Sequence, residues 1–506
     1  MAVLYVLLSW AAHAVVLLFF LIFAAFLGYC LYLKYIHMKY DHIPGPPRSS
    51  FLFGHSLTML RAMENDGGVH QKMLEWAEEY GPVYRLNTLH YIMVCVYCPE
   101  TTKDIMMSPK YPKAEMAYRR IVNLFGQRFL GYGLVTAHDH EKWYKQRRII
   151  DPAFSSVYLK SLMGTFNERA ETLMSKLSDA ADKKTETNML HLFNGVTFDV
   201  IAKVAFGVDL DLLQNITRFS EAIDLCLKGM IYYVRDAFFE FKPKNKPFIN
   251  KVREACHLLR ITGAQWIRER KTAMQNGEDV PKDILTQIIK SAGEEENMTE
   301  EDEELMLDNF VTFFIAGQET TANLLAFCVM SLGRHPDVLE KARKEVQDVI
   351  GMKQEVSYDN LSQLTYLSQV LKETLRLYST APGTARYVPE DRVINGIHIP
   401  GGNTYFFNSY VSGRLNTFFP DPLTFDPDRF HPDAPKPYYS YYPFALGPRS
   451  CLGQNFAQIE AKVVMAKLLQ RFDFTLVPGQ SFSIQDNGTL KPKSGTLCYI
   501  THRNYD

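Results

Sequence analysis

The first pattern along the chain is an apolar run from Ala2 to Leu33, broken only by Ser9 and His13, with no lysine or arginine before Lys34. It exceeds the ~20 residues that cross a bilayer as a helix. A cleaved signal peptide would have a basic start, a shorter apolar core and a small-residue cleavage site, which this stretch meets poorly. Residues 1–33 are therefore expected to be a membrane anchor. Lys34, Lys39 and Arg48 follow it, so the excess of basic residues places the remainder in the cytosol. Ile43-Pro44-Gly45-Pro46-Pro47-Arg48 excludes a helix and predicts a stiff elbow, so 34–50 is read as a basic, proline-rich linker and 51–506 as the body.

Within the body the patterning changes from segment to segment. Residues 83–86 and 92–96 carry strand signals, with Gly81-Pro82 as punctuation. Residues 137–150 predict a basic amphipathic helix with Trp143 and Arg147 on one face. Residues 198–206 are apolar, and 230–241 are aromatic-rich, which fits core, pocket lining or a membrane-dipping surface equally well; 242–247 read as a loop. Thr299 with Asp302 three residues on is a capping-box signature, and the acidic run behind it suits the positive end of the helix dipole. Gly333 and Pro336 stop that helix. The roughly 33 residues between would span about 50 Å. Residues 364–377 predict a further helix, as do the apolar positions Phe456, Ile459, Val463 and Ala466.

Composition adds little beyond exclusion. With 506 residues and a net charge of −1, nothing points to nucleic acid. The eight cysteines show no zinc spacing, and Cys95 and Cys98 read as core residues of a strand, a pattern of free thiols in a reducing compartment.

Chemistry enters at three places. Cys451 stands between Gly447 and Gly453 ahead of a helix, where amides and dipole favour a thiolate, with Arg449 beside it; this suits metal ligation or nucleophilic attack. Ala316-Gly317-Gln318-Glu319-Thr320-Thr321 interrupts the apolar long helix. A carboxylate there costs several kcal/mol unless paired or solvated, and Thr320 can bond back to a carbonyl one turn earlier and bend the helix. Gly317 opens space against the backbone. Glu373 and Arg376 stand at i, i+3, with Arg429 in a proline-rich loop as a possible third member. Each alone has a bland reading: a solvated basic face, a kink, a surface ion pair.

Together, in this order and spacing, Trp143/Arg147, 316–321, Glu373/Arg376, 425–430 and the 444–453 cysteine loop resemble the signature set of the cytochrome P450 superfamily, the haem-thiolate monooxygenases. The resemblance covers the whole chain. Residues 40–48, 307–317, 366–373 and 462–471 further resemble the cholesterol 24-hydroxylase branch. It implies a mainly α fold with a smaller β-rich part, behind one transmembrane helix. It also implies haem b with Cys451 as the iron's thiolate ligand, and Trp143, Arg147, Arg386 and Arg449 on the haem propionates. Gly317 would make room beside the haem. Glu319 and Thr320 would supply protons during dioxygen activation, and Glu373, Arg376 and Arg429 would form a structural triad. Tyr118, Ile121, Phe125, Ala316, Pro382 and Ala385 would line the substrate pocket.

The chain has no dinucleotide fingerprint in a strand–helix context. By resemblance, electrons come from NADPH through a membrane-bound cytochrome reductase, whose acidic face Lys142, Lys145 and Arg148 are expected to meet. The location implied is the endoplasmic reticulum membrane, so the sequons at Asn215, Asn297 and Asn487 are expected to be unused. The implied reaction is hydroxylation of a sterol, at the cholesterol side chain. The alternatives are another steroid or lipophilic substrate, or a haem-thiolate isomerase. Pro382 and Ala385 depart from the bulky aromatics of that branch and are expected to enlarge the pocket.

Overall fold

The computed structural model describes residues 2–63, 65–210, 218–236, 239–293 and 299–504. Asn215, Asn297 and Phe238 lie outside the described residues.

Helix α1 (Ala2–Tyr40) runs seven residues past the expected end of the anchor. Its apolar span is wholly exposed and is long and apolar enough to cross a membrane. Leu33, Ile36 and Tyr40 are buried against the body. The Tyr40 carbonyl accepts from Arg85 Nε (3.1 Å), and its hydroxyl accepts from Asn403 Nδ2 (3.2 Å). Residues 34–40 are thus helix docked on the body, not linker. The proline run is pinned too: Pro44 O accepts from Arg85 N at 2.8 Å, and Pro46 O bonds His55 Nε2 at 2.9 Å. A proline has no N–H but keeps its carbonyl, so the run acts as an edge for its neighbours.

Helix α2 (Ser56–Ala62) is followed by strands β1 (Val83–Thr88) and β2 (Tyr91–Val96), which pair antiparallel with Val83 opposite Val96. Further along come α3 (His140–Ile150), α4 (Met189–Phe206), α5 (Arg218–Arg235) and α6 (Lys246–Gln275). Helix α3 starts three residues later than its pattern suggested because Asp139 caps it, accepting from Lys142 N at 2.8 Å. The long helix α7 (Glu300–Arg334) starts where expected: Asp302 N bonds Thr299 Oγ1, and Thr299 N bonds Asp302 Oδ2 at 3.0 Å. Next are α8 (Thr365–Leu377), β3 (Gly383–Val388), β4 (Asn403–Asn408), α9 (Gln454–Arg471) and the hairpin β5 (Ile484–Asp486)–β6 (Leu490–Pro492).

The main sheet has the order β1-β2-β4-β3, with β2 and β4 parallel and β4 and β3 antiparallel. Helices α4 and α7 are also apolar enough to cross a membrane, but most of each is buried. Their aromatic rings explain it: Phe206 stacks on Phe314 at 4.7 Å and meets Phe310 at 4.6 Å, and Trp266 of α6 closes on Phe310 at 5.6 Å. These helices are the core.

Candidate active site

The cysteine loop is built by backbone. Cys451 N donates to Phe444 O at 2.8 Å, which closes the loop. Gly447 sits at φ +68°, and a Cβ there would stand 2.3 Å from the carbonyl oxygen of Met106, so no other residue fits without displacement. Gly453 caps α9, and Cys451 lies just ahead of it. Desolvation by the surrounding protein pushes the Cys451 thiol up, although its side chain keeps open surface; the Gly453 N–H, Arg147 and Lys113 pull in the opposite direction. A cation at the sulfur would favour the thiolate further.

Cys451 and, midway along α7, Ala316 both keep exposed surface.

Around the rim of the cysteine loop cations gather. Arg449 lies over the Trp143 ring at 3.9 Å and donates to Ala137 O at 2.7 Å. Arg147 donates to Ser450 O at 2.9 Å, tying α3 to the cysteine loop. Arg386 on β3 is 1% exposed and donates to Thr384 Oγ1 at 2.8 Å. Lys113, which the sequence reading passed over, bridges to Arg386 through backbone, donates to Val135 O at 2.7 Å and covers the Tyr118 ring at 4.7 Å. Among the described residues none of Arg386, Arg449 or Lys113 has a carboxylate within 4 Å, and the Nη2 atoms of both arginines are buried without a partner. Burial and the neighbouring cations push Lys113 down to about 8 and Arg449 down to about 9. A buried Arg386 and half-buried Arg449 and Lys113 with spare donors suit a doubly anionic occupant.

On α7, Thr320 Oγ1 donates to Ala316 O at 2.7 Å, the back-bond the motif suggested. Gly317 faces α4: a Cβ there would meet Ile201 at 3.0 Å, so the missing side chain lets α4 approach α7. The expectation that Gly317 makes room beside a haem is corrected accordingly. Glu319 faces a cleft of about 1130 Å³ lined also by Asp224, Lys228 and Lys491. Burial raises its carboxyl, while Lys491 and a hydrogen bond with Thr489 oppose the shift.

Behind the cysteine loop Arg376 Nε and Nη2 bind the two oxygens of Glu373, both at 2.7 Å, and Arg429 Nε stands 3.5 Å from Glu373 Oε1. Arg376 also donates to Gly413 O and Pro422 O, and Asp426 N donates to Glu373. The three residues are together, and the i, i+3 pair is fully buried rather than a surface bridge.

The expected pocket residues divide. Tyr118 reaches Thr384 Oγ1 at 3.2 Å and sits among the rim cations. Phe125 is buried against Tyr233 (4.7 Å) and Phe239 (5.8 Å), and Ile121 is half-buried beside that core. Within the aromatic stretch, Tyr233 and Phe239 are therefore packing residues, while Phe241 is 72% exposed. Pro382 and Ala385 are buried in the sheet region, with Pro382 O accepting from Ser409 N and Ala385 O from Ala114 N. Neither has open surface, whereas Ala381 and Gly383 in the same run are exposed.

Of the cations expected to meet a reductase, Lys142 is paired with Glu301 at 2.5 Å and Lys145 with Asp302 at 2.7 Å. Both carboxylates come from the first turn of α7, so these lysines clamp α3 to α7.

The family model for Cytochrome P450 matches residues 44–499. The chain is 28% identical over 500 residues to mouse (Mus musculus) cytochrome P450 3A13, covering 94% of this chain and 95% of the relative. It is 27% identical over 453 residues to cytochrome P450 4d2 of Drosophila melanogaster, covering 85% and 88%. It is 30% identical over 462 residues to secologanin synthase 2 of Catharanthus roseus, covering 87% and 85%. None of these three is a cholesterol 24-hydroxylase, so the branch suggested by the short matching stretches is not carried by them. The cysteine loop, the rim cations and the match over nearly the whole body agree: this chain belongs to the cytochrome P450 family.

Proposed function

We propose that this protein is a membrane-anchored monooxygenase that hydroxylates a sterol, with the cholesterol side chain as the favoured substrate. Members of its family bind haem through a thiolate and draw electrons from NADPH through a reductase. When bound, the haem supplies the reductive activation of dioxygen and the attack on an unactivated C–H bond. The observation that carries the reading is the set of rim cations without carboxylates. Arg386, Arg449 and Lys113, with Arg147 and Trp143, fit the two propionates of a haem whose iron would meet Cys451 Sγ.

In this assignment each residue has one task. Arg449 is held by the Trp143 face, so its free Nη2 is aimed before any anion arrives. Ala316 has open surface midway along α7, where substrate and dioxygen would lie. Thr320 holds a proton at Oγ1, and Glu319, with its carboxyl raised by burial, exchanges protons with the wet cleft behind α7. Glu373, Arg376 and Arg429 hold the segment leading into the cysteine loop.

The sterol assignment rests on the matching stretches at 40–48, 307–317, 366–373 and 462–471. Helix α1 supports attachment to a membrane, single-pass, in the endoplasmic reticulum with the body in the cytosol. The intact Glu319–Thr320 pair favours oxygen activation over a haem-thiolate isomerase, which has no need of delivered protons. Two measurements test the proposal. Cys451→Ser should abolish the red-shifted carbon monoxide band of the reduced protein. A panel of sterols, other steroids and fatty acids, read by displacement of the distal water in the haem spectrum and then by product analysis, should rank cholesterol first. Binding confined to non-sterol lipophiles would replace the substrate, and turnover without NADPH or dioxygen would replace the reaction.

A further inference from the structure

A second cleft, open to solvent and about 1180 Å³, lies between α2, α5, the turn Pro243–Asn245 and the β5–β6 hairpin. One side is apolar, formed by Leu60, Ile231 and Phe239; the other carries Lys228, Lys242 and Lys244. Lys242 is paired with Asp236 at 2.6 Å. Among the described residues Lys228 and Lys244 have no carboxylate within 4 Å, so the cleft keeps an excess of positive charge. Its surroundings are unusual for a soluble surface: Phe241 is 72% exposed, Val234 46%, Leu60 42% and Leu57 39%. Helix α2, which supplies Leu60, begins shortly after the docked last turn of α1, and the intervening prolines are pinned to β1.

We infer that this cleft holds one anionic phospholipid of the bilayer. Its acyl chain would lie against Leu60, Ile231 and Phe239, and its headgroup would meet Lys228, Lys242 and Lys244. The inference rests on the reading of α1 as a bilayer span. Charge complementarity selects the lipid class, because a neutral headgroup would leave the unpaired ammonium groups unanswered in a cleft with one apolar wall. The apolar rim selects a lipid over a water-soluble anion, because a free phosphate would leave that wall wet.

The test uses the full chain with its haem, reconstituted in phosphatidylcholine vesicles containing a minor fraction of phosphatidylserine. Either lipid carries a photoactivatable group on its acyl chain, and labelled peptides are mapped by mass spectrometry. Phosphatidylserine should label the 228–245 peptides at least about fivefold more than phosphatidylcholine at equal probe concentration, the selectivity expected from about one lysine at an anionic surface. The double variant Lys242→Glu/Lys244→Glu should lose that preference while α1 is still labelled by both lipids and the carbon monoxide spectrum is unchanged. Equal labelling by the two lipids, or a preference that survives the charge reversal, overturns the inference. So does competition by water-soluble glycerophosphoserine as effective as by the lipid, which would make the cleft a soluble-anion site. Absence of any label on α1 would instead remove the bilayer reading itself, and this inference with it.

Discussion

Arg376 grips both carboxylate oxygens of Glu373 at 2.7 Å, and neither side chain has exposed surface. A buried pair of this kind contributes little relative to an apolar replacement, but removing one member strands the other charge at a cost of about 3–5 kcal/mol. Here the remaining Arg376 donors go to Gly413 O and Pro422 O, and Glu373 accepts from Asp426 N, so the pair fastens three loop segments to α8. Glu373→Gln should therefore lower the guanidinium midpoint sharply and release haem on purification. Arg429→Lys, whose Nε stands farther off at 3.5 Å, should cost much less. Comparable losses in both variants would contradict this ranking.

Gly447→Ala should destabilise the cysteine loop by about 2 kcal/mol or more, because it combines a left-handed backbone with a steric overlap. The added methyl would stand 2.3 Å from the backbone oxygen of Met106. The measurable result is a lower ratio of haem to protein absorbance and a faster loss of the thiolate-type carbon monoxide band. Gly126, also at positive φ but with nothing within 4 Å of an added Cβ, is the control and should tolerate alanine far better.

What could be read from the sequence, and what could not, follows from these contrasts. Helix α7 was legible because a capping box and a glycine–proline stop are local signals, and the observed start matches Thr299. The Glu373/Arg376 spacing was legible, but its complete burial was not, because i, i+3 charge pairs look the same on a surface. The direction in which a side chain points was the weakest inference. Gly317 accommodates Ile201, and Pro382 and Ala385 are buried while Ala381 and Gly383 are open, since each depends on how neighbouring elements pack. Lys113 was missed because a single lysine in an irregular segment carries no periodicity; only its bridge to Arg386 reveals it. Residues 34–40 were assigned to a linker because charge appears at Lys34, yet the exposed side of a docked helix can carry that charge.

Thr320→Ala should leave haem content and substrate-induced spectral shifts intact while product formed per NADPH falls about tenfold or more, with peroxide accumulating in its place. Removal of the Oγ1–Ala316 bond alone predicts no such diversion, because that bond shapes the helix and carries no net proton. Thr320→Ser should restore most of the coupling. Unchanged coupling in the alanine variant would take Thr320 out of the proton path.

Lys142→Glu/Lys145→Glu tests whether the α3 face meets a reductase. Lys142 sits in an exposed pair with Glu301 worth under ~1 kcal/mol, whereas Lys145 pairs with Asp302, which is only 15% exposed and caps α7, so the modest loss of stability expected comes mainly from the second change. Reductase-supported turnover should fall severalfold at low ionic strength and converge on wild type as salt is raised. Peroxide-supported turnover should not change. Equal losses in the two assays would show that these lysines serve the α3–α7 junction alone.

Glu460 on α9 is 1% exposed, and neither carboxylate oxygen has a partner. Burial pushes its carboxyl well above the ordinary carboxylate range. The folded protein therefore holds a proton that the unfolded chain has lost once the pH passes the ordinary value of about 4.3. With more protons bound in the native state, stability is full below that value and falls as pH rises, by up to about 1.4 kcal/mol per unit, until the folded carboxyl ionises. Glu460→Gln keeps the shape and removes the titration. Guanidinium midpoints measured from pH 5 to 8 should therefore show wild type declining relative to the variant, with the gap widening at each step. Parallel profiles would mean that Glu460 is ionised in the folded protein and has found a partner, most simply an ordered water, that keeps its charge in the core.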